Sequence, residues 1–559
     1  MKDSDRRAAA REYAEREKVS SLELLLDAEE LNPTTFPESP FDYGALLDRP
    51  EEYADVGKAL RKPVAVIGAG NAGMAAAYQL MRHGLKPVIY ELSNRIGGRS
   101  YTYQFGRDPI ARAELGSMRI PLTQTLIFKL CRMWDIKWKT FPDPQVVDTV
   151  VDIYGKQLFW NAKKQKYTRG PQELIRKANQ VARKWNAMMD PIDDAWKKTA
   201  GNYKKRRELW KGFVKDYNNK SLFQMLIERK WTQSEIDVLG CIGTGTGGID
   251  AFFTSSFLEW VRITIQRVEE KQQLIIGGTN QFAQRFWSEE VDTPAWGRTS
   301  VEKLNDGAPL PGIATIRTAG PGQKGPIEIV DTRGRAAVYE AVILTASPRA
   351  IDMTLDINRD AFSQKVWSAL RNVELTASEK VFAMTRTAFW TEPGTKYKLY
   401  TTLTDQTPRQ MYQFDASDFG AETAAGVLCL SYSWGSYALR YDALDTEQRV
   451  NVDLEAIERM EIYGPAMRKK IESEIVETVS IAWSDQLGYN AGWRMANPGQ
   501  AQGVAELHKQ SLGADPAWDN GLYLAGEALS WYGLSGWIDG AIKTGMQAAL
   551  SAARRLSRT

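Results

Sequence analysis

The strongest constraint on the fold comes from residues 62–99, where apolar runs alternate with a glycine-rich turn. Residues 62–67 (KPVAVI) lead into a turn at 68–73 (GAGNAG), and an alanine-rich helical pattern follows. A second apolar run, residues 88–90, ends at Glu91. A strand, a tight turn, a helix, a second strand and an acid in this order predict a Rossmann-type unit that binds a dinucleotide.

Each position in the turn has a physical role. Gly68 permits the sharp turn, Gly70 lets the backbone approach a pyrophosphate, and Gly73 lets the helix pack close to the sheet. Asn71 and Ala72 begin the helix, whose free N–H groups and positive dipole end point toward the phosphates. We therefore expect all five residues to bind the cofactor.

An acid and a basic, glycine-containing segment close this unit. Glu91 lies 21 residues (91 − 70) after the second glycine, where a carboxylate can accept a hydrogen bond from a ribose hydroxyl. Residues 93–99 (SNRIGGR) allow a close approach to a ligand, and Arg95 and Arg99 can face phosphate oxygens. The alternative is an ordinary basic surface turn. The segment resembles the first FAD segment of the flavin-dependent amine oxidase superfamily, which implies FAD as the cofactor.

Length and composition narrow the class of protein. A length of 559 residues indicates two or three domains, and a net charge of +3 is too small to argue for nucleic acid or an anionic membrane surface. Two histidines are too few for a histidine-rich metal site or a Ser-His-Asp triad, so no metal is expected. The three cysteines are far apart, which favours a reducing, cytoplasmic location without disulfides. We expect neither a secretory signal nor a transmembrane helix.

Residues 113–121 (AELGSMRIP) place a single cation in an apolar setting. A buried arginine such as Arg119 needs an anion. That anion is either a protein carboxylate in a structural ion pair, for which Glu114 is one candidate, or a ligand carboxylate, which the planar guanidinium binds at two points. The segment resembles the motif of L-amino acid oxidases and amino acid 2-monooxygenases, which implies that Arg119 clamps the substrate carboxylate. The same resemblance implies flavin contacts from Gly116, Ser117, Met118 and Arg119.

Three further residues take their expected roles from this resemblance. Lys380, in the stretch SEKVF, is expected to hydrogen-bond through water to flavin N5 and to steer the oxygen chemistry. The alternative is an exposed lysine on the opposite face of a strand. Tyr412 is expected to donate a hydrogen bond to the substrate carboxylate. Val301 is expected in a short strand whose backbone holds the adenine, after a stretch at 274–280 (LIIGGTN) that is similar to the family's Gly-Gly pattern.

The C-terminal stretch is expected to complete the cofactor site. Residues 522–525 form an apolar strand, after which Glu527 can hold a hydroxyl of the cofactor linker. The pattern at 536–540 (GWIDG) opens a helix whose positive end would face the isoalloxazine. No cysteine lies in this stretch, so the FAD is expected to be non-covalent. The expected contacts are Gly536, Trp537 and Ile538, with Trp531 or Tyr532 beside Trp537 as a wall of the substrate site.

Between these motifs, residues 171–239 have a helical pattern, with capping boxes at Ser221 and Thr232. The basic run at 204–207 is interpreted as a solvated face. Residues 243–248 (GTGTGG) lack the Gly-Lys-Ser/Thr of a P-loop and predict a flexible turn near the substrate. The residues expected to contact the substrate side chain are Asp250, Phe252, Phe253 and Thr254.

The predicted fold is α/β: a Rossmann-type (GR2-like) FAD-binding domain, discontinuous in sequence, with a mixed-sheet substrate domain and a helical insertion. The predicted boundaries are 1–59 for an N-terminal extension, 60–121, 270–350 and 505–559 for the FAD-binding domain, 122–160 and 351–504 for the substrate-binding domain, and 161–269 for the helical domain.

The resemblance implies oxidation of the α-amine of a free L-amino acid by hydride transfer to flavin N5, with O2 as the electron acceptor. The products are a keto acid, ammonia and peroxide, or an amide, carbon dioxide and water. The alternatives are a polyamine or monoamine oxidase, against which Arg119 argues, and a scaffold with structural FAD. The preferred side chain is left open, since an acid favours basic substrates and the tryptophans favour aromatic ones. A homo-oligomer is expected.

Overall fold

A computed structural model describes residues 42–54, 57, 60–106, 111–320, 323, 325–421, 423–513, 519–530 and 536–558. The helices are α1 (Tyr43–Asp48), α2 (Asn71–Arg82), α3 (Thr125–Met133), α4 (Gln172–Lys197), α5 (Tyr203–Tyr217), α6 (Leu222–Glu228), α7 (Gln233–Ile242), α8 (Phe257–Gln266), α9 (Gln281–Ser288), α10 (Val301–Leu304), α11 (Pro348–Met353), α12 (Gln364–Asn372), α13 (Gly435–Leu439), α14 (Thr446–Arg459), α15 (Gly464–Glu474), α16 (Ala501–Leu512) and α17 (Ile538–Arg558).

The first half of the strands are β1 (Pro63–Ile67), β2 (Lys86–Glu91), β3 (Thr102–Phe105), β4 (Ala111–Glu114), β5 (Ile120–Pro121), β6 (Trp138–Thr140), β7 (Thr149–Ile153), β8 (Lys156–Asn161), β9 (Lys166–Arg169), β10 (Gln272–Ile275), β11 (Val291–Thr293), β12 (Gly297–Thr299) and β13 (Leu310–Pro311). The others are β14 (Ile313–Arg317), β15 (Ile327–Asp331), β16 (Ala336–Tyr339), β17 (Val342–Leu344), β18 (Asp356–Ile357), β19 (Leu375–Thr376), β20 (Ser378–Thr385), β21 (Thr401–Thr404), β22 (Gln410–Asp415), β23 (Gly426–Trp434), β24 (Ile475–Ala482), β25 (Trp493–Arg494) and β26 (Leu522–Leu524).

A parallel sheet carries the glycine turn found in the sequence. Within the described ranges it has five strands in the order β13-β2-β1-β17-β26. Its strands therefore come from widely separated parts of the chain. Apolar side chains on β1 and β17 are buried, as expected for a parallel sheet covered by helices on its faces. The predicted α/β class and the discontinuous Rossmann-type arrangement are confirmed.

A second, mixed sheet lies beside the first. In the part of the chain that the structure describes, it has eight strands in the order β24-β20-β23-β22-β21-β7-β8-β9. The β21–β7 pair is parallel, and the other neighbouring pairs are antiparallel. Both Lys380, on β20, and Tyr412, on β22, belong to this sheet. The sheet thus brings two of the predicted catalytic residues onto neighbouring parts of one scaffold.

Helices α4 to α7 occupy most of residues 171–239, the segment for which the sequence pattern was helical. Both predicted capping boxes are present, at Ser221 with Gln224 and at Thr232 with Glu235. The prediction that residues 204–207 form a solvated basic face was wrong for Arg206. This side chain is 1% exposed, donates a hydrogen bond to Thr199 and packs on the ring of Trp196.

Two other expectations on local structure have different outcomes. Val301 does not lie in a strand: it begins helix α10, which Ser300 caps, and its side chain is fully buried in the core. The Ser-Val pair therefore follows the capping preference of serine rather than the strand preference of valine.

The C-terminal helix begins at Ile538 as the sequence pattern indicated. The N-terminal extension up to residue 41 lies outside the described residues. None of the described helices is long and apolar enough to span a membrane.

Helices α2 and α17 pack together at Gly545. A Cβ atom added at Gly545 would lie 2.1 Å from the carbonyl oxygen of Ala72, which lies in the first turn of α2 beside the glycine turn. Because that neighbour is backbone, it cannot move aside as a flexible side chain would. The close contact therefore fixes the C-terminal helix against the first helix of the Rossmann unit.

We predict that Gly545→Ala lowers the free energy of unfolding by about 1–3 kcal/mol, because the added methyl group separates the two helices. Chemical denaturation of the purified protein measures this change. The matched control is Gly212→Ala in α5, where an added Cβ meets no atom within 4 Å. In the control, stability is expected to be unchanged or to rise by about 0.5–1 kcal/mol. Equal effects at the two glycines would contradict the packing argument.

Candidate functional site

A long cavity of about 360 Å³ runs along the glycine turn and reaches the start of α17. Most of the predicted cofactor residues line it: Gly68, Gly70, Asn71, Ala72, Glu91, Arg99, Gly116, Ser117, Glu527, Gly536, Trp537 and Ile538. Gly73 lies behind the wall, where an added Cβ would be 1.9 Å from the carbonyl oxygen of Gly68. Val301 is in the core, and Ile313 and Ala314 line the cavity instead.

The glycine turn leaves open space in front of a helix N-terminus. Gly68 has φ +103°, and an added Cβ would lie 2.4 Å from the hydroxyl of Thr345. By contrast, a Cβ at Gly70 would meet only the Cα of Gly98, at 3.8 Å, so the space beside it is free. Helix α2 begins at the next residue, Asn71. Free backbone N–H groups at this end suit an anionic phosphate.

Glu91 is held in a fixed orientation at the edge of this space. One carboxylate oxygen, Oε2, accepts a hydrogen bond from the backbone N–H of Ala69 at 2.6 Å. The other, Oε1, accepts bonds from the N–H and the hydroxyl of Ser93 at 2.8 and 2.7 Å. The carboxylate therefore ties the second strand to the glycine turn and still lines the cavity, as a ribose acceptor must.

At the other end, Glu527 joins three separate segments. Its Oε1 pairs with the guanidinium of Arg99 at 2.9 Å, and its Oε2 accepts the backbone N–H of Gly536 at 2.8 Å. Arg95, which was expected to face a phosphate, packs instead on the ring of Tyr101 and does not line the cavity. Arg99, which does line the cavity, is thus already paired with Glu527.

A second cavity of about 140 Å³ adjoins the first, and we call it the aromatic cavity. The two cavities share Ser117, Tyr432, Trp493, Gly536, Trp537 and Ile538. The aromatic residues on its wall are Phe252, Trp260, Tyr432, Trp434, Trp493 and Trp537. Trp531 and Tyr532, which were considered beside Trp537, lie outside the described residues. The aromatic cavity can hold a small organic molecule that reaches the end of the long cavity.

Arg119 and Met118 lie on the wall of the aromatic cavity. The guanidinium of Arg119 is 7% exposed, and its Nη1 is 3.4 Å from Oδ1 of Asp143. The same nitrogen donates to the carbonyl oxygen of Thr246 and lies 3.3 Å from the hydroxyl of Tyr412. A structural ion pair is therefore present, but its partner is Asp143. The candidate partner Glu114 was wrong, since that carboxylate accepts hydrogen bonds from Thr102 and Thr279.

The charges around Arg119 are out of contact with bulk water. Burial acts to lower the pKa of Arg119, but Tyr412, Tyr432 and Asp143 outweigh it and raise the pKa. Burial raises the pKa of Asp143 to about 7, although the arginine opposes this shift. Arg119 is therefore always charged, whereas its acidic partner titrates near neutral pH.

Lys380 is buried behind the junction of the two cavities. It is 1% exposed, so the alternative of an exposed lysine was wrong. Its Nζ donates to the carbonyl oxygens of Glu114 and Gly116 and lies 4.4 Å from the ring centroid of Tyr432. Burial lowers the pKa of Lys380 to about 8. The lysine reaches the cavity wall through Gly116 and Tyr432.

Tyr412 stands behind Arg119 and lines neither the long cavity nor the aromatic cavity. Its hydroxyl donates to Oε1 of Gln410 at 2.8 Å. The loop at 243–248 packs against the same glutamine, since a Cβ at Gly247 would lie 2.2 Å from that oxygen. Tyr412 and this loop thus hold the arginine from two sides.

Of the four residues expected to contact a substrate side chain, only Phe252 lies on a described cavity wall. Asp250 instead pairs with Arg409 at 2.8 Å. Sequence reasoning missed Glu259, Glu269, Trp260, Trp493 and Arg494, which line the aromatic cavity. The available signal in the sequence was a pair of acids, Glu259 in helix α8 and Glu269 after it, which follow the glycine-rich loop closely in sequence.

Residues 71–551 match the family described as flavin containing amine oxidoreductase. The chain belongs to this family. Tryptophan 2-monooxygenase of Pseudomonas savastanoi is 30% identical, over 92% of this chain and 94% of that protein. L-amino-acid oxidase of Mus musculus is 24% identical, over 87% of this chain and 70% of that protein.

Solved structures of the amine oxidoreductase fold agree with the architecture. Putrescine oxidase bound to putrescine has a TM-score of 0.63 at 18% identity, covering 88% of this chain and 98% of that one. Family membership makes this chain an oxidoreductase with a flavin cofactor. The long cavity fits such a group, because it offers an open glycine turn, a helix N-terminus and polar groups fixed along its length.

We predict that Gly70→Val keeps the fold but loses flavin, because the side chain would point into open space that the cofactor needs. The flavin-to-protein absorbance ratio should fall at least ~10-fold, as expected when a bulky group blocks a close backbone approach. Circular dichroism of the variant should match that of the flavin-free wild type. A variant that retains full flavin content would contradict this assignment of the cavity.

Proposed function

We propose that this protein uses non-covalently bound FAD to oxidise the α-amine of a free L-amino acid, with O2 as the electron acceptor. The observation that carries the proposal is Arg119, a buried arginine on the wall of the aromatic cavity, which adjoins the long cavity along the glycine turn. The names of the two relatives, a tryptophan 2-monooxygenase and an L-amino-acid oxidase, support the same substrate class.

Arg119 suits the α-carboxylate of such a substrate. A planar guanidinium can bind a carboxylate at two points, and burial strengthens that attraction. Burial also raises the pKa of Asp143 to about 7, so near neutral pH this acid neutralises the arginine only in part. The remaining positive charge favours an anionic ligand group. Tyr412, hydrogen-bonded behind the arginine, keeps the guanidinium in place.

The other residues orient the substrate and exclude water. With the carboxylate on Arg119, the rings of Tyr432, Trp493 and Trp537 enclose the amine and Cα where the two cavities meet. FAD, when bound, supplies the acceptor for the hydride from Cα and passes the electrons to O2. Lys380 holds a proton at Nζ, against the carbonyl oxygen of Gly116 on the cavity wall. Helix α17 begins at this junction, so its positive end favours negative charge there.

Two sets of products are compatible with this arrangement. The imino acid can leave and hydrolyse to a keto acid with ammonia, while O2 is reduced to peroxide. Alternatively, the peroxide formed from O2 attacks the imino carbon: one of its oxygen atoms stays in the amide, the other leaves as water, and the carboxylate leaves as carbon dioxide. We further propose that the protein is a cytoplasmic homo-oligomer. We also propose that FAD is bound non-covalently, because none of the three cysteines lines the long cavity or the aromatic cavity.

A polyamine or monoamine oxidase is the second candidate, supported by the fold that the chain shares with putrescine oxidase. An amine has no carboxylate, however, and would leave the Arg119 charge without its expected ligand. Anaerobic bleaching of the yellow protein by L-amino acids, but not by the matching amines, distinguishes the two candidates. Absence of bleaching by either class would favour a structural role for the flavin.

We predict that Arg119→Lys lowers kcat/KM for the best L-amino acid by ~100-fold or more, because a point charge replaces the two-point contact. Oxygen consumption measures this effect. Any turnover of the corresponding decarboxylated amine should change little, since it makes no such contact. The control is Arg112→Lys, at a residue that donates to the carbonyl oxygen of Phe419 away from both cavities. Unchanged kinetics in Arg119→Lys would refute the carboxylate role.

We predict that Lys380→Met lowers kcat by ~10- to 100-fold with little change in KM, because a positioned proton donor is lost without a substrate contact. The pKa of Lys380 is lowered to about 8 by burial, so the wild-type kcat should fall as the pH rises through this value and the ammonium loses its proton. The variant should lack this step. Lys86→Met, at an exposed residue, is the control. A pH profile in Lys380→Met that matches the wild type would contradict the proton-donor role of Lys380.

A further inference from the structure

Glu269 is a charged group on the wall of the aromatic cavity to which the proposed reaction gives no role. Its Oε1 accepts a hydrogen bond from the hydroxyl of Thr246 at 3.1 Å, and its Oε2 accepts one from the hydroxyl of Thr244. Both threonines come from the glycine-rich loop at 243–248. Two neutral donors thus fix the carboxylate in position without neutralising its charge.

Every other charged side chain on this wall has an oppositely charged partner. Arg119 pairs with Asp143 at 3.4 Å, and Arg494 pairs with Glu259 at 3.2 Å. No lysine or arginine among the described residues forms an ion pair with Glu269. Burial raises the pKa of this carboxyl, which reflects the cost of its charge at this position. A ligand cation would remove that cost.

The simplest alternative role is that of a second counter-ion for Arg119. The Arg119 charge does act to lower the pKa of Glu269, but the two groups make no direct ion pair, because each of them binds Thr246. Its carbonyl oxygen accepts from the guanidinium, and its hydroxyl donates to the carboxylate. The loop therefore holds one positive and one negative group apart, on either side of a single residue and on the same cavity wall.

We propose that Glu269 binds the cationic end of the substrate side chain, so that the preferred substrates are L-amino acids ending in a primary ammonium or a guanidinium. This inference rests on the proposed amino acid oxidation. With the α-carboxylate on Arg119, Glu269 is the second anchor. The rings of Phe252, Trp260 and Trp434 offer apolar surface to the methylene stem and π faces to the cation.

Uncharged side chains are less suited to this wall. An aliphatic side chain would shield the carboxylate from water without compensating its charge, which is unfavourable. An indole N–H supplies a hydrogen bond but leaves the negative charge in place. The aromatic residues alone suit both aromatic and cationic side chains. The carboxylate of Glu269, which has no ion-pair partner in the described part of the chain, favours the cationic ones.

The test compares kcat/KM for L-lysine and L-norleucine in the wild-type holoenzyme, since the two differ only in the terminal ammonium. We expect L-lysine to be preferred by ~100-fold, as for a site built to pair with one polar group. L-ornithine, L-arginine and L-tryptophan complete the panel. Equal or better turnover of L-norleucine or L-tryptophan would overturn the inference while leaving amino acid oxidation intact. No turnover of any amino acid would instead refute the proposed function.

Glu269→Gln tests the residue itself. The amide can still accept from the two threonines, so we expect unchanged flavin absorbance and thermal stability. The preference for L-lysine over L-norleucine should fall to below ~10-fold, through loss of activity toward L-lysine. The matched control is Glu270→Gln, at the exposed neighbouring acid. A Glu269→Gln variant that keeps the wild-type preference would overturn the inference.

A binding measurement separates recognition from chemistry. Calorimetry with α-methyl-L-lysine and α-methyl-L-norleucine, which carry no α-hydrogen, should give tighter binding of the former to wild type. In Glu269→Gln the two affinities should approach each other. If the variant does not fold, the wild-type comparison still decides the outcome, since equal wild-type affinities would contradict the ion pair.

Discussion

The carboxylate of Glu527 connects the parts of the chain that form the cofactor cavity. It pairs with Arg99 after the first Rossmann unit and accepts the backbone N–H of Gly536 beside the C-terminal helix. Gly536 lies nine residues after Glu527, but Arg99 lies 428 residues before it, so local propensity cannot place that partner. One carboxylate sets the distance between the glycine turn and the junction where the two cavities meet.

The aromatic cavity is arranged around charged groups that are buried or partly buried. Arg119 is held by a carbonyl oxygen, a phenol and an acid whose pKa is near neutrality, and so it keeps unused capacity for an anion. Glu269 stands on the other side of Thr246 with hydroxyl partners only. A ligand with both charges would satisfy both groups, whereas protein interiors otherwise avoid unpaired ions.

The sequence allowed prediction of those features that depend on neighbouring residues. The glycine turn, the two capping boxes and the start of the C-terminal helix each follow from a few adjacent side chains. Asp143 and Glu269 were not predictable in their roles, because contacts with Arg119 and Thr246 come from folding distant segments together. The predictions for Val301 and Arg206 were wrong for a related reason. The cap formed by Ser300 outweighed the strand preference of valine, and the ring of Trp196 outweighed the solvent preference of arginine.

The order of strands in the parallel sheet has a consequence for synthesis of the protein. Strand β1 lies next to β17, and β17 lies next to β26, which begins 178 residues (522 − 344) after β17 ends. During translation β17 therefore has no partner on that side until residues 522–524 have left the ribosome. Such exposed edges and distant pairings slow folding and invite misassembly. The nascent chain thus depends on protection of the β17 edge until β26 pairs with it.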